Sequence, residues 1–202
     1  IMMLEQEGKP REIKDIPQQT IDNLHKALHT ISDRNRALTA FIGSYRQLSR
    51  LPLPEKKEVG VARLLKETVD LHRGQLKDRN IELKLHCGPE GLSIMVDEAQ
   101  VSQVLTNLVK NAMEAMEHSE EKCLEISCKR VLDDAVIVIR DHGPGIPAEI
   151  LEKIFVPFFT TRAEGSGIGL SLSRQIISNH GGQISVQSSP PGGSTFRVAL
   201  PI

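Results

Sequence analysis

Apolar residues between residues 17 and 51 recur at spacings of three and four, which predicts one long amphipathic helix. The Leu51-Pro52-Leu53-Pro54 segment ends this helix. A lone helix with an apolar seam needs a partner, and we expect a second copy of the chain in a homodimeric bundle. Packing of the helix on the following domain is the alternative. The seam consists of Ile21, Leu24, Leu28, Ile31, Asn35, Leu38, Ile42 and Tyr45, of which Asn35 is the polar step.

Beyond a charged segment, residues 55–60, that we expect to be a linker, helical and strand periods alternate. The predicted helices are 61–79, 98–117, 148–153 and 167–179, and the predicted strands are 81–85, 92–96, 123–131, 135–139, 183–188 and 195–200. Asp97 and Gln100 form a capping-box pattern, Asp133-Asp134 a hairpin turn and Gly181-Gly182 a helix C-cap. Strand 135–139 is almost wholly apolar, so we expect it to be buried on both faces.

The helix at 98–117 carries a polar stripe beside its apolar face. Asn107, Asn111 and Glu114 recur at spacings of four and three, with Lys110 at the edge of the stripe. Amide oxygens are suitable Mg²⁺ ligands where phosphate oxygens share the ion, and a lysine adds positive charge for phosphate. A solvated helix face is the alternative, and the glycine loops that follow favour the ligand-binding interpretation.

Asp141 stands at the exit of an apolar strand, before a Gly-Pro-Gly turn. A carboxylate there can accept a hydrogen bond from an adenine amino group in an apolar pocket, although a turn-capping aspartate is the alternative. A second glycine cluster, residues 165–169, opens a helix, and such a loop can hold phosphates. The polar residues 160–164 between the two clusters are a candidate lid.

Composition narrows the choice of function. The chain has 202 residues and a formal net charge of −1, so it shows no electrostatic footprint for nucleic acid. It has no apolar run of membrane-spanning length and no visible signal peptide. The first residue is Ile, from which we expect a piece of a longer protein.

The three cysteines lack metal-ligand spacing and are expected to be free thiols. His25 and His29 are expected to be exposed on the long helix.

Four stretches in order closely resemble the motifs of the catalytic ATP-binding domain of sensor histidine kinases. They are residues 107–112 (N box), 141–145 (G1 box), 155–158 (F box) and 165–170 (G2 box). The resemblance covers residues from about 59 to 202. It implies a Bergerat-type α/β sandwich, an α+β fold with helices layered on a mixed sheet, and neither a Rossmann fold nor a P-loop.

The resemblance also implies a role for each matching residue, with ATP and Mg²⁺ as cofactors. Asn111 would coordinate Mg²⁺, Asn107 and Lys110 would contact the phosphates, and Asp141 would bind the adenine amino group. The full ATP-binding set that the resemblance implies is Asn107, Lys110, Asn111, Asp141, Gly143, Gly145, Ile146, Phe158, Thr160, Thr161, Arg162, Gly165, Ser166, Gly167, Ile168, Gly169 and Leu170. No catalytic residue is assigned within the chain.

One position separates two enzyme classes. The related ATPases of the gyrase and MutL type carry a glutamate where Asn107 stands, and that glutamate activates water. An amide is no general base at neutral pH, so the site favours phosphoryl transfer over hydrolysis. The resemblance implies transfer of the γ-phosphoryl to a histidine and then to a response-regulator aspartate. A gyrase-type ATPase and a non-catalytic dimerisation module are the alternatives.

The long helix resembles the second helix of the dimerisation and phosphotransfer bundle, and its Arg34-Asn35-Arg36 run is similar to NtrY-like sensors. The family's phosphoacceptor is a histidine followed by an acid, whereas His25 precedes a lysine and His29 a threonine. We therefore expect the phosphoacceptor to lie before residue 1. The expected domains are residues 1–54, a partial dimerisation region, and 55–202, the catalytic domain. The expected location is cytoplasmic, with a membrane anchor in the parent protein left open.

Overall fold

The computed structural model describes residues 17–49, 51–162 and 165–202, so the first sixteen residues of the predicted dimerisation region lie outside the described part. The chain divides into two compact units, residues 1–43 and 44–202. Helix α1 (Gln18–Ser49) matches the predicted long helix. The seam residues Leu24, Leu28 and Ile31 are each more than half exposed, whereas the side chains of Leu38 and Tyr45 lie outside the description.

A five-stranded mixed sheet forms the centre of the second unit. Its order is β2 (Glu82–His86), β4 (Cys123–Val131), β5 (Asp134–Asp141), β7 (Ser194–Pro201) and β6 (Gln183–Ser188). The β2–β4 pair is parallel and the other pairs are antiparallel. Three long helices pack with this sheet around one apolar core: α2 (Val61–Asp78), α3 (Glu98–Ala115) and α5 (Gly169–Asn179). The α/β sandwich implied by the sequence is confirmed.

Burial alternates along β5, and this corrects one prediction. Ala135, Ile137 and Ile139 are buried in the core, but Val136 and Val138 on the other face are only half-buried. Strand β5 is therefore fully covered on one face only, because successive side chains of a strand point to opposite sides of the sheet. An apolar run alone did not distinguish this arrangement from a strand covered by helices on both faces.

The charged segment at residues 55–60 is more than a linker, contrary to the prediction. Residues Lys57–Gly60 form strand β1, which pairs antiparallel with β3 (Ser93–Val96). Val59 stands opposite Ile94, and both side chains are buried. One valine among charged and polar neighbours is too short a pattern of alternation to predict a strand. Strand β1 is stabilised instead by its pairing with β3, where Val59 packs opposite Ile94.

The predicted helix caps follow the sequence with one exception. Asp97 Oδ1 accepts a hydrogen bond from the backbone N–H of Gln100 at 3.1 Å. The Gln100 side chain donates instead to the carbonyl of Pro52, so the reciprocal bond of a capping box is not made. At the end of α5, Gly181 has a φ of +79° and Gly182 N–H donates to the Ile177 carbonyl at 3.0 Å, which is the expected C-cap.

Several boundaries moved by one or two residues. The β4–β5 turn is centred on Leu132 and Asp133, with Leu132 at a φ of +54°, so it lies one residue before the predicted turn. The other shifted elements are α3, which ends at Ala115, a one-turn helix α4 (Ala148–Leu151), and α5, which begins at Gly169. Among the described residues, none of the helices combines the length and apolar character needed to cross a membrane.

Candidate active site

A cavity of about 950 Å³ opens between α3, the end of β5 and the loop that leads to α5. Its walls include most of the residues singled out from the sequence: Asn107, Asn111, Asp141, Gly145, Ile146, Thr160, Thr161, Arg162, Gly165, Ser166, Gly167, Gly169 and Leu170. Four others, Lys110, Gly143, Phe158 and Ile168, do not line it. Lys110 is exposed, whereas Ile168 is buried in the core. The last two residues of the predicted lid, 163 and 164, lie outside the described residues.

Asn107 joins α3 to the first turn of α5. Its Nδ2 donates to Ser173 Oγ at 3.0 Å, and Ser173 Oγ donates to the Gly169 carbonyl at 2.8 Å. A Cβ at Gly169 would collide with Asn107 Oδ1, so only glycine permits this close approach. The N-terminus of α5, with its free N–H groups, is thereby held beside the asparagines of α3, which is a favourable place for anionic oxygens.

Asn111 and Glu114 extend the same wall by one helical turn. Arg162 of the predicted lid pairs with the Glu114 carboxylate through Nη1, and its Nη2 donates to the Asn111 backbone carbonyl at 3.3 Å. Burial lowers the pKa of Arg162. A guanidinium therefore lies next to the predicted Mg²⁺ ligand, on the side of the cavity that the glycine loop also borders.

Asp141 is a buried carboxylate in the wall of the cavity. It is 2% exposed, and its Oδ1 accepts hydrogen bonds from Gly143 N–H at 2.9 Å and Ser194 N–H at 3.3 Å. Burial raises the pKa of Asp141, against the opposing effect of these hydrogen bonds. Its neighbours in the cavity wall include Ile146 and Phe196. A fixed acceptor among apolar side chains can bind an amino group of a flat heterocycle.

The Phe-rich segment divides its side chains between core and cavity. Phe155 is buried, with the guanidinium carbon of Arg174 4.3 Å from its ring centroid, while Phe159 lines the cavity. Phe158 has a φ of +67° and is 38% exposed. Its N–H donates to the Gly167 carbonyl at 2.8 Å, which ties the start of the lid to the glycine loop.

The cavity also contains residues that the site prediction left out: Arg79, Glu114, Ala115, Glu117, Ile150, Ile154, Phe159, Ser194 and Phe196. Glu114 was visible as part of the polar stripe. Ser194 and Phe196 reach the site because β7 pairs with β5, with Ser194 directly opposite Asp141. The strand register that brings them there has no local signal in the sequence.

Comparison with known proteins agrees with this geometry. Residues 96–202 match the family of histidine kinase-, DNA gyrase B- and HSP90-like ATPases. The chain is 36% identical over 148 residues to the sensor protein FixL of Bradyrhizobium diazoefficiens, covering 73% of this chain and 29% of FixL. It is also 36% identical over 140 residues to the C4-dicarboxylate transport sensor protein DctB of Rhizobium meliloti, covering 67% of this chain and 22% of DctB.

Solved structures give the same relation. The catalytic domain of the histidine kinase ThkA superposes with a TM-score of 0.67 at 34% identity, over 73% of this chain and 95% of that domain. ThkA in complex with the response regulator TrrA gives a TM-score of 0.70 at 27% identity, over 99% of this chain and 55% of ThkA. The chain spans less than a third of the length of FixL and of DctB. It belongs to the histidine kinase-, gyrase B- and HSP90-like ATPase family, and within that family it is the ATP-binding catalytic core of a sensor histidine kinase.

Proposed function

We propose that the cavity binds ATP together with Mg²⁺ and positions the γ-phosphoryl for transfer to a histidine. In this proposal Asp141 receives the adenine amino group, Asn111 coordinates Mg²⁺, and Asn107 and the glycine loop at 165–169 contact the phosphates. Arg162 supplies a second cation on the phosphate side, where it is well placed by its contact with the Asn111 carbonyl. Lys110, which is exposed, would reach the phosphates only by extending across the edge of α3.

The observation that carries the proposal is the amide at Asn107. Its Nδ2 donates to Ser173, so at this position beside the N-terminus of α5 the described residues offer an amide oxygen where a gyrase-type ATPase has a carboxylate base. Glu114, the carboxylate on the same stripe, is paired with Arg162. Phosphoryl transfer requires positioning and charge neutralisation, both of which this site offers, whereas hydrolysis also requires activated water.

For the whole protein we propose a homodimer formed through α1, autophosphorylation on a histidine of the dimerisation bundle, and relay to the aspartate of a response regulator. The known complex of ThkA with the response regulator TrrA supports this choice of partner. A cytoplasmic location of this region is part of the proposal, because ATP is supplied there. His25 and His29 are exposed and lack the following acid, so we do not expect either to be the acceptor.

The Mg²⁺ assignment predicts a Mg²⁺-dependent defect. Replacing Asn111 by alanine should weaken binding of a non-hydrolysable ATP analogue by more than about tenfold with Mg²⁺ present, or about 1.4 kcal/mol. With a chelator instead of Mg²⁺, the variant and the original chain should bind the analogue with similar affinity. Isothermal titration calorimetry measures both, and Asn23→Ala, at an exposed position of α1, is the matched control. Equal affinities of both chains with Mg²⁺ would remove Asn111 from the metal site.

Transfer and hydrolysis predict different fates for the γ-phosphoryl. With γ-labelled ATP and Mg²⁺, we expect no phosphate release above that of Asn111→Ala, and no acid-labile, base-stable label on this chain. The label should appear on an added dimerisation domain that carries a histidine followed by an acid. Sustained phosphate release that Asn107→Ala abolishes would instead favour a gyrase-type ATPase. Label on the chain that disappears in His25→Gln or His29→Gln would make our acceptor prediction wrong.

A further inference from the structure

Three potential metal ligands meet at the end of the β4–β5 pair. Cys123 and Glu125 lie on β4, and His142 directly follows β5. One ligand atom of each side chain lies within 4.8 Å of the other two. Cys123 is 2% exposed, Glu125 and His142 are half-buried, and none of the three lines the cavity. The cluster is therefore separate from the proposed nucleotide site.

Strand register explains how residues so far apart in sequence come together. Leu124 pairs with Asp141, so the next residues outward, Cys123 and His142, are level at the end of the ladder. Side chains alternate along β4, which sends Leu124 into the core and Cys123 and Glu125 to the opposite face. Cys123 is accordingly buried without being part of the main apolar core.

We propose that Cys123, Glu125 and His142 bind a Zn²⁺ ion. A thiolate, an imidazole nitrogen and a carboxylate oxygen are the three ligand types that Zn²⁺ takes in proteins, and three protein ligands leave a fourth tetrahedral position for water. The sulfur ligand disfavours Mg²⁺ and Ca²⁺, which prefer oxygen. Cys123 thiolate and Glu125 carboxylate together balance the charge of the ion.

The surroundings of His142 fit a metal ligand. Its Nε2 lies 2.8 Å from Glu125 Oε1, so this nitrogen faces the Glu125 carboxylate. Its Nδ1 lies 3.7 Å from the carboxylate of Glu121, whose side chain is largely exposed. Zinc-bound histidines commonly donate their second ring N–H to a carboxylate, which fixes the tautomer and the ring orientation. At 3.7 Å this pair is beyond hydrogen-bond distance, so the exposed Glu121 side chain would have to move closer to His142 to take that role, with Nε2 left for the ion.

The Lys84 ammonium would compete with a metal ion for the anionic ligands of the cluster. It stands opposite Glu125 in the β2–β4 register, and its Nζ lies 3.8 Å from the Glu82 carboxylate. Its side chain is about half exposed, at 49%, so it can move into solvent when an ion arrives. Glu82 of β2 and Arg140 of β5 are the other charged residues beside the cluster in these registers. Removing the Lys84 ammonium should therefore tighten Zn²⁺ binding. If the three side chains formed only a polar cluster without a metal site, this substitution would have no such effect.

Zinc at this position would act on the neighbouring nucleotide site. His142 directly follows Asp141, whose carboxylate is held by Gly143 N–H and Ser194 N–H. Coordination of His142 would fix the turn that follows β5 to strand β4. We expect Zn²⁺ to change the affinity for the ATP analogue by a few-fold. This coupling rests on the proposed function, whereas the binding of Zn²⁺ itself does not.

The test uses Co²⁺ as a spectroscopic substitute, followed by Zn²⁺ displacement. Adding Co²⁺ to the reduced full chain should give a thiolate-to-cobalt charge-transfer band in the near ultraviolet and intense visible bands of a tetrahedral site, and Zn²⁺ should remove both. Cys123→Ser should abolish the charge-transfer band, and Glu121→Gln should weaken Co²⁺ binding by about tenfold. Lys84→Met should tighten it. Cys87→Ser is the matched control, because Cys87 is a second free and partly accessible thiol.

Circular dichroism of each variant separates loss of the site from loss of the fold. The proposal is overturned if the folded chain gives no thiolate band, or if the band survives Cys123→Ser and disappears in Cys87→Ser. It is also overturned if none of the three variants Lys84→Met, Cys123→Ser and His142→Gln changes the affinity for Co²⁺. Zn²⁺ binding without any effect on the ATP analogue would contradict only the coupling, and failure of ATP binding would leave the Co²⁺ result intact.

Discussion

Asp97 and Asp141 both accept hydrogen bonds from backbone N–H groups, yet their pKa values move in opposite directions. At Asp141, burial is the larger effect and raises the pKa. At Asp97, burial also opposes the charge, but hydrogen bonds from the N–H groups of Gln100, Glu55 and Ala99 outweigh it and lower the pKa. The fold therefore stabilises the charged form of Asp97 and disfavours the charged form of Asp141.

The lowered pKa of Asp97 predicts a pH-dependent contribution to stability. The contribution is present above the ordinary carboxyl pKa of about 3.9 and is lost as the pH falls through the lower pKa of the folded state. Asp97→Asn keeps a capping side chain without the charge, so it should lower the free energy of unfolding by about 1 kcal/mol at neutral pH. The difference should shrink towards zero as the pH falls below the ordinary carboxyl pKa of about 3.9 and through the lower pKa of the folded state.

Urea unfolding of both chains, from neutral pH down to this acidic range, measures the difference. Asp78→Asn, at the C-terminal end of α2, is the control for removing one carboxylate from the same unit. A constant difference between Asp97→Asn and the original chain at every pH would show that the charge of Asp97 contributes nothing.

Helix α1 carries a row of exposed apolar side chains. Leu24, Leu28 and Ile31 are 51%, 56% and 58% exposed, one helical turn apart on one side. Burying a leucine fully is worth about 1.5–3 kcal/mol, so this row offers substantial free energy to a partner helix. Asn35, also exposed, interrupts the row where a polar residue can set the register between two copies.

We therefore predict that the chain dimerises through α1 and that Leu28→Lys weakens the dimer by more than about tenfold, since each tenfold change corresponds to about 1.4 kcal/mol. Sedimentation velocity over a range of protein concentrations measures the dissociation constant. Lys26→Glu, at an exposed position of α1 outside the seam, is the control for a change of charge. A chain that remains monomeric at the highest concentration, or a dimer indifferent to Leu28→Lys, would contradict the prediction.

At the scale of the whole molecule, periodicity predicted the elements and motif order predicted the fold. Helix α3 and strand β4 were recognisable because a helical or strand period persists over many residues there. The asparagines of α3 could be placed near the glycine loop only through the resemblance to a known family. The NtrY-like assignment and the domain boundaries at residues 54 and 55 remain predictions.

What the sequence did not reveal depends on contacts between distant segments. Strand β1 needed its partner β3, and Ser194 needed the β5–β7 register to reach Asp141. The three cysteines had no metal-ligand spacing, yet Cys123 meets His142 because two strands end level with each other. Strand register depends on the alternation of buried side chains along both paired strands and on the turn between them, so it becomes readable only when both strands and their boundaries are known.

The junction at Asp97 has a mechanical consequence. The Asp97 carboxylate accepts a hydrogen bond from the Glu55 N–H, and the Asp97 backbone N–H donates to His180 Nε2 at 3.0 Å. Lys56 Nζ donates to the His180 carbonyl at 3.4 Å. His180 closes α5, and Asp97 opens α3. A force that displaces residues 51–56 therefore acts on the start of α3 and on the end of α5. Under such a force either these few hydrogen bonds break, or α3 and α5, which border the cavity, move together with the segment.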